Sequence, residues 1–278
     1  MTATKQYDKQ SFIKIFNSIA KHKHRYQVFS DFVTMSAIAL HNGVYKSASL
    51  ESEYMEIVGK YSKEEAGKIA ELFANLIVLL DPEPRDILGG LYMELELGNT
   101  NNGQFFTPPD ISLLLAKLSY GDELKKLKKP FITLSEPACG SGGMVLAFIK
   151  IMQEHNHNPI DKVWVQCTDI DRISGLMCYL QLSLWNVPAE IMIRNTLSME
   201  IREVYYTPAY YLGNWGARLR DSNQSEAINS ILEVEKLEQP EIIKTKIKSK
   251  VVLDIQKQPE EPKKKENDEK GQMDLFAF

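Results

Sequence analysis

A chain of 278 residues, 44% hydrophobic and 25% charged, with a formal net charge of −4, has the composition of an ordinary soluble protein with one substantial core plus a smaller domain or tail. No run approaches the roughly 18 apolar residues of a membrane span, and the weakly acidic balance excludes a global nucleic-acid footprint, leaving only a local basic patch to supply one. The three cysteines, Cys139, Cys167 and Cys178, lack CxxC spacing. They argue against a disulfide framework or a zinc cluster and for a reducing, cytoplasmic compartment. Met1 to Gln10 is polar, so no secretory signal is visible.

Residues 9–97 are predicted helical throughout. Apolar side chains recur at helical spacing in Phe12, Ile15, Phe16 and Ile19, and again in Ile69, Leu72, Phe73 and Leu76. The proline pair of "DPEPRD" separates two such helices, and residues 1–97 form an N-terminal helical domain on this reading. Its start is basic: Lys14, Lys21, Lys23 and Arg25, with His22 and His24 between them. A solvated helix face is favoured there over a contact with a phosphate backbone.

Beyond residue 97 the pattern changes, and residues 98–237 are expected to form an α/β cofactor-binding domain. A polar loop, "GNTNNGQFFTPPD", leads into a helix with Thr107 or Asp110 as N-cap and a proline in its first turn. The strand "FITLSEP" then meets the glycine turn "EPACGSGG" and an apolar helix from Met144 to about His155. A second strand, "VWVQCTDID", precedes the helix Arg172–Trp185, and a third, "EIMIRNTL", follows it. Strands alternating with helices point to a parallel sheet. One further helix-like segment, "SEAINSILEVEKL", precedes residues 238–278, whose Lys, Glu and Pro content predicts a disordered tail.

A strand that runs into glycines and then a helix lets backbone N–H groups approach a ligand at the helix N-terminus. This turn lacks both the GxGxxG spacing of a dinucleotide site and the Lys-Ser/Thr of a P-loop. Asp169 ends the second strand, where a carboxylate can accept hydrogen bonds from both ribose hydroxyls of an adenosine. Asn195-Thr196 ends the third, placing an amide where an adenine ring would lie. Either Asp169 or Asp171 is also expected to cap the next helix. A nucleoside without polyphosphate fits these groups best.

In order and spacing, "GQFFTP", "EPACGSGG", "TDID" and "RNTL" resemble the N6-adenine DNA methyltransferases of the modification-subunit type found in type I restriction systems of bacteria. The similarity covers roughly residues 84–215, including "DILGGLYMEL". It implies a Rossmann-like sheet, S-adenosylmethionine as cofactor and DNA as substrate, with a specificity subunit or other second subunit as a possible partner. On the same resemblance Gln104, Phe106, Thr107 and Pro108 flank the methionine end, Ala138, Gly140 and Gly142 line the cofactor, Asp169 holds the ribose and Asn195 meets the adenine.

Two features depart from that family. Its catalytic signature, Asn/Asp-Pro-Pro-Tyr/Phe after the fourth strand, does not occur in the chain. The tetrapeptide at the corresponding distance is Thr207-Pro208-Ala209-Tyr210. There Thr207 would replace the amide acceptor, Pro208 would keep its carbonyl and Tyr210 would stack on a flipped base. A weaker acceptor at this post would cost roughly 10²–10³ in rate, by analogy with a lost oxyanion donor. The alternative is an inactive relative that holds cofactor or DNA as a subunit or anti-restriction factor. Second, too little chain follows for the three further strands of the full fold, so the sheet is expected to be truncated or completed by another chain. Finally, Gln272-Met273-Asp274-Leu275-Phe276 resembles the bacterial sliding-clamp peptide, which implies tethered docking on that ring.

Overall fold

In a computed structural model of the chain, the described residues are 7–97, 106–195, 198 and 200–222. Five helices come first: α1 (Lys9–Ser18), α2 (Arg25–Val44), α3 (Ala48–Val58), α4 (Lys63–Leu80) and α5 (Leu88–Glu94). Their starts are encoded locally. Asp8 with Ser11, and Ser62 with Glu65, form reciprocal capping boxes on α1 and α4. The apolar periodicity identified the buried faces, since Phe12, Phe16, Ile19, Leu72 and Leu76 are almost fully enclosed. Edge-to-face contacts join Phe12, Phe16, Phe29 and Phe32 across α1 and α2.

The basic start of the chain serves the fold. The Arg25 guanidinium donates to the carbonyls of Ile19 (2.8 Å) and Lys23 (3.0 Å), satisfying backbone acceptors in the turn between α1 and α2. Lys23 donates to the Lys60 carbonyl and lies 3.8 Å from the centre of the Tyr61 ring.

The second half alternates strands and helices: α6 (Pro109–Lys125), β1 (Ile132–Glu136), α7 (Gly143–Glu154), α8 (Pro159–Lys162), β2 (Val163–Asp169), α9 (Arg172–Leu184), β3 (Ala189–Arg194), β4 (Ile201–Tyr206) and α10 (Pro208–Leu212). The α6 N-cap is Pro108, with Pro109 as the first helical residue and Asp110 in the first turn. Neither Thr107 nor Asp110 takes the capping role expected from sequence, because proline at N1 already fixes the entry backbone. β1, β2 and β3 run parallel in that order, so the α/β class read from sequence holds. β2 is buried along nearly its whole length, as a central parallel strand should be.

β4 pairs with β3 antiparallel, from Arg194↔Ile201 to Glu190↔Tyr206. Its direction follows from the short connection between Arg194 and Ile201, which leaves no room for a parallel crossover. Arg172, opening α9, donates to Glu203 on β4 at 2.8 Å and to Glu53 on α3 at 2.9 Å. α2 lies along α9, and one continuous apolar core includes Phe29 and Leu72 from the helical half with Leu176 and Ile191 from the sheet half.

Candidate functional site

The parallel strands bring the first two motifs to one edge. Past the end of β1, the backbone turns through Gly140 at φ +53° and Gly142 at φ +95°, both in the left-handed region that a Cβ disfavours. A Cβ on Gly140 would also lie 3.2 Å from the Phe106 ring. The glycines are thus required by conformation and by close approach. Gly142 is the N-cap of α7, and among the described residues no side chain caps that helix.

The two aspartates have divided roles. Asp171 is the α9 N-cap, accepting from Ser174 N at 2.7 Å. Asp169 accepts from Gly140 N at 2.8 Å through one oxygen and from Asp171 N at 2.9 Å through the other. A carboxylate has about four acceptor positions, so this one, oriented by two backbone donors, keeps capacity for a ligand. Burial pushes the Asp169 carboxyl above the usual aspartate range, against the pull of those N–H bonds.

An aromatic edge borders this corner. Phe106 meets Tyr92 edge-on at 5.4 Å, and Tyr92 meets Tyr26 at 6.4 Å. Burial, and secondarily the Asp171 charge, raises the Tyr26 phenol. Burial with the neighbouring Tyr26 and Asp171 pushes Tyr92 up to about 12. Neither tyrosine was singled out from sequence, because nothing local marks a residue of α2 or α5 as a neighbour of a β2 strand end.

Behind the turn sits a polar bridge that sequence reading also missed. Asp86 accepts from the Ser141 hydroxyl and from Gly89 N, and Gln181 donates to Asp86 (2.9 Å) and to the Ser141 carbonyl (2.8 Å). It thereby ties "DILGG" of the lead-in to the glycine turn. A cavity of about 470 Å³ adjoins the bridge, lined by Glu83, Asp86, Leu91, Pro109, Gly143 and Lys150. It does not reach Asp169 or Gly140, which lie at the strand ends.

The remaining expected residues fall as follows. Phe106 is half-buried against the turn, while Thr107 and Pro108 are exposed just before α6, and Ala138 is exposed in the turn with its N–H on Glu136. Asn195 follows β3, its side chain accepting from Ser198 N at 3.4 Å. Gln104 and the peptide Gln272 to Phe276 lie outside the described residues.

Thr207, Pro208 and Tyr210 do not join this site. Because β4 is antiparallel, it delivers them to the start of β3, the opposite edge of the sheet from Asp169. Thr207 is 0% exposed, and its hydroxyl is consumed by donating to the Val187 carbonyl (2.7 Å) and accepting from Ala189 N (2.9 Å). The Tyr210 ring stacks on Tyr206 at 4.4 Å and leans on Trp164 at 5.4 Å. The antiparallel course of β4 carries them to that edge. These residues splice β4 to the sheet, and the assignment of a base-binding role to them is withdrawn.

Although far apart in sequence, Cys139 of the turn, Cys167 of β2 and Cys178 of α9 converge, with their sulfurs all within 4.8 Å of one another. S–H bonds from Cys139 and then Cys178 pull the Cys167 thiol down to about 6.

A parallel sheet with a bare glycine turn and an oriented strand-end carboxylate is an arrangement able to receive a nucleoside. Residues 84–212 match the family model described as N-6 DNA Methylase. Two solved structures are similar to the chain at low identity. One is a putative class I S-adenosylmethionine-dependent methyltransferase from Listeria monocytogenes (15% identity, 68% of this chain and 53% of that one, TM-score 0.37). The other is the methyltransferase subunit of a type I restriction-modification system from Streptococcus thermophilus (17% identity, 69% and 45%, TM-score 0.38). The chain spans about half the length of these two proteins. No curated protein matches it. Among the described residues, no helix is long and apolar enough to cross a membrane.

Proposed function

We propose that the chain holds S-adenosylmethionine as the cofactor side of a DNA adenine-N6 methyltransferase whose base-holding groups come from outside the described residues. The observation that carries this reading is the corner formed by Gly140, Phe106 and the oriented Asp169 carboxylate. These residues fit the group. Asp169 would take the ribose hydroxyls, the glycine backbone would admit the nucleoside, and the uncapped start of α7 would face its polar atoms. When bound, the cofactor supplies an electrophilic methyl group. Phe106 and Tyr92 would border it with aromatic surface, which favours a sulfonium cation. Asn195 would meet the adenine ring.

The division of labour rests on two further features. Thr207 and Tyr210 are committed to packing at the far edge. On the other flank, β1 has no neighbour beyond it among the described residues, and α6 exposes Ile111, Leu114, Leu115 and Leu118, the last 77% accessible. Further strands of a second subunit would add there, carrying the acceptors that draw protons from the adenine amine.

The chain alone is expected to bind labelled S-adenosylmethionine in equilibrium dialysis and to transfer no methyl group to unmethylated plasmid DNA. Absence of cofactor binding would overturn the assignment; transfer by the chain alone would overturn the division of labour. The adenine target is tested separately. Genomic DNA of source cells carrying Asp169→Ala should lose N6-methyladenine, and unchanged nucleoside composition would count against adenine.

Tyr210 gives an independent check on the withdrawn base-site role. Tyr210→Ala is expected to lower stability by about 2 kcal/mol, as a half-buried ring lost from a packed cluster, while leaving cofactor affinity unchanged. A variant with parental stability in urea titration would show that the ring stack at the amino edge contributes nothing.

A further inference from the structure

The chain's three cysteines are its only ones, and all three meet beneath the glycine turn. Cys167 and Cys178 are 0% exposed, and the Cys178 sulfur lies 3.7 Å from that of Cys167. Cys139 belongs to the turn itself, its N–H bonded to the Thr168 carbonyl at 2.9 Å. A Cβ on Gly142 would lie 3.0 Å from the Cys178 sulfur, so the cluster supports the turn from directly below.

We infer that Cys139, Cys167 and Cys178 form a three-sulfur site for a thiophilic divalent cation of the zinc and cadmium class. The geometry is close to what such an ion needs. With metal–sulfur bonds of about 2.3 Å, three sulfurs in a trigonal arrangement stand about 4 Å apart. The observed triangle, no wider than 4.8 Å, reaches that by small side-chain rotations. Among the described residues no His, Asp or Glu joins the group, so the donor set is sulfur alone, which selects soft d¹⁰ ions over magnesium or calcium.

Charge counting favours a dication. Three thiolates around M²⁺ leave one net negative charge in the core, whereas a monovalent ion leaves two, and buried uncompensated charge is costly. Ligation forms three metal–sulfur bonds and releases three thiol protons to solvent. No oxidant or reductant is involved. The entry side is Cys139, the one sulfur-bearing residue of the three with measurable exposure, at 6%. An ion there would clamp the turn to β2 and α9 at once.

The competing account is that the cysteines act as small apolar core residues. Cd²⁺ titration of the reduced full chain separates the two, because any thiolate-to-metal charge-transfer absorption must come from this cluster. The expected result is a band saturating at one equivalent, three sulfur neighbours in X-ray absorption at the cadmium edge, and displacement by excess Zn²⁺. Cys139→Ala and Cys178→Ala should each weaken Cd²⁺ binding at least a hundredfold, with circular dichroism confirming the fold. If a variant fails to fold, the sulfur count of the parent protein decides. No band at stoichiometric Cd²⁺, fewer than three sulfurs, or a band that survives Cys178→Ala in a folded protein would overturn the site.

Discussion

Gln181→Leu is expected to lower the stability of the chain by about 3–5 kcal/mol, since each buried polar group left unpaired costs about 1–3 kcal/mol. Gln181 is 0% exposed and uses its whole amide. Its carbonyl oxygen accepts from Ile87 N at 2.8 Å and Leu88 N at 3.1 Å, and its NH₂ serves Asp86 and the Ser141 carbonyl. Asp86 accepts only from Gly89 N in the first turn of α5, and the distant amide from α9 takes the Ile87 and Leu88 N–H groups that Asp86 does not. Leucine has the volume and none of the four bonds. Gln181→Glu is a sharper variant: it restores the acceptor but sets a second carboxylate against Asp86. Its destabilisation should therefore shrink on acidification as the pair takes up a proton. Urea titrations at neutral and mildly acidic pH measure both. A leucine variant within about 1 kcal/mol of the parent would mean that the bridge is not holding the turn to the lead-in.

That bridge marks the boundary of what the sequence discloses. The three parallel strands, α7 and α9 follow from apolar runs of the right length broken by glycine or a capping aspartate, all signals within about ten residues of one another. The turn was legible for the same reason, since Gly140 and Gly142 are needed by backbone dihedrals that sequence spacing encodes. The division between Asp169 and Asp171 needed only local geometry, and the sequence narrowed it to one cap among two residues. The direction of β4 was legible too: the short connection after β3 leaves no room for a parallel crossover, so the next strand must return antiparallel. A family resemblance pointed instead to a strand ending beside Asp169, and with it to the wrong edge of the sheet. The cysteine triangle, by contrast, was hidden. Its members lie on a turn, a strand and a helix, and the absence of CxxC spacing says nothing about sulfurs assembled by the tertiary fold.

Asp169→Ala is expected to weaken S-adenosylmethionine binding at least tenfold. Hydrogen bonds to a charged acceptor contribute about 1.5–3 kcal/mol, which corresponds to roughly ten- to a hundredfold in affinity. Alanine also strips Gly140 N of its acceptor, so part of the loss would come from a loosened turn. Asp169→Asn separates the contributions, because one amide oxygen can still receive the Gly140 N–H while the negative charge and one acceptor are gone. The parent protein should in addition show a pH dependence of known sign. Burial raises the Asp169 carboxyl above the ordinary aspartate range, so the ionised form is disfavoured in the folded chain and its cost is relieved as pH falls through the raised value. Cofactor binding runs the other way. The ribose hydroxyls need the carboxylate, and protonation removes an acceptor, so affinity should fall on acidification from a higher pH than an exposed aspartate would give. Calorimetric titrations across the acidic range should show that decline in the parent and its absence in Asp169→Asn. Parental affinity in a folded Asp169→Ala, or an identical pH profile in Asp169→Asn, would remove this carboxylate from the cofactor site and leave the Gly140 turn with some other ligand.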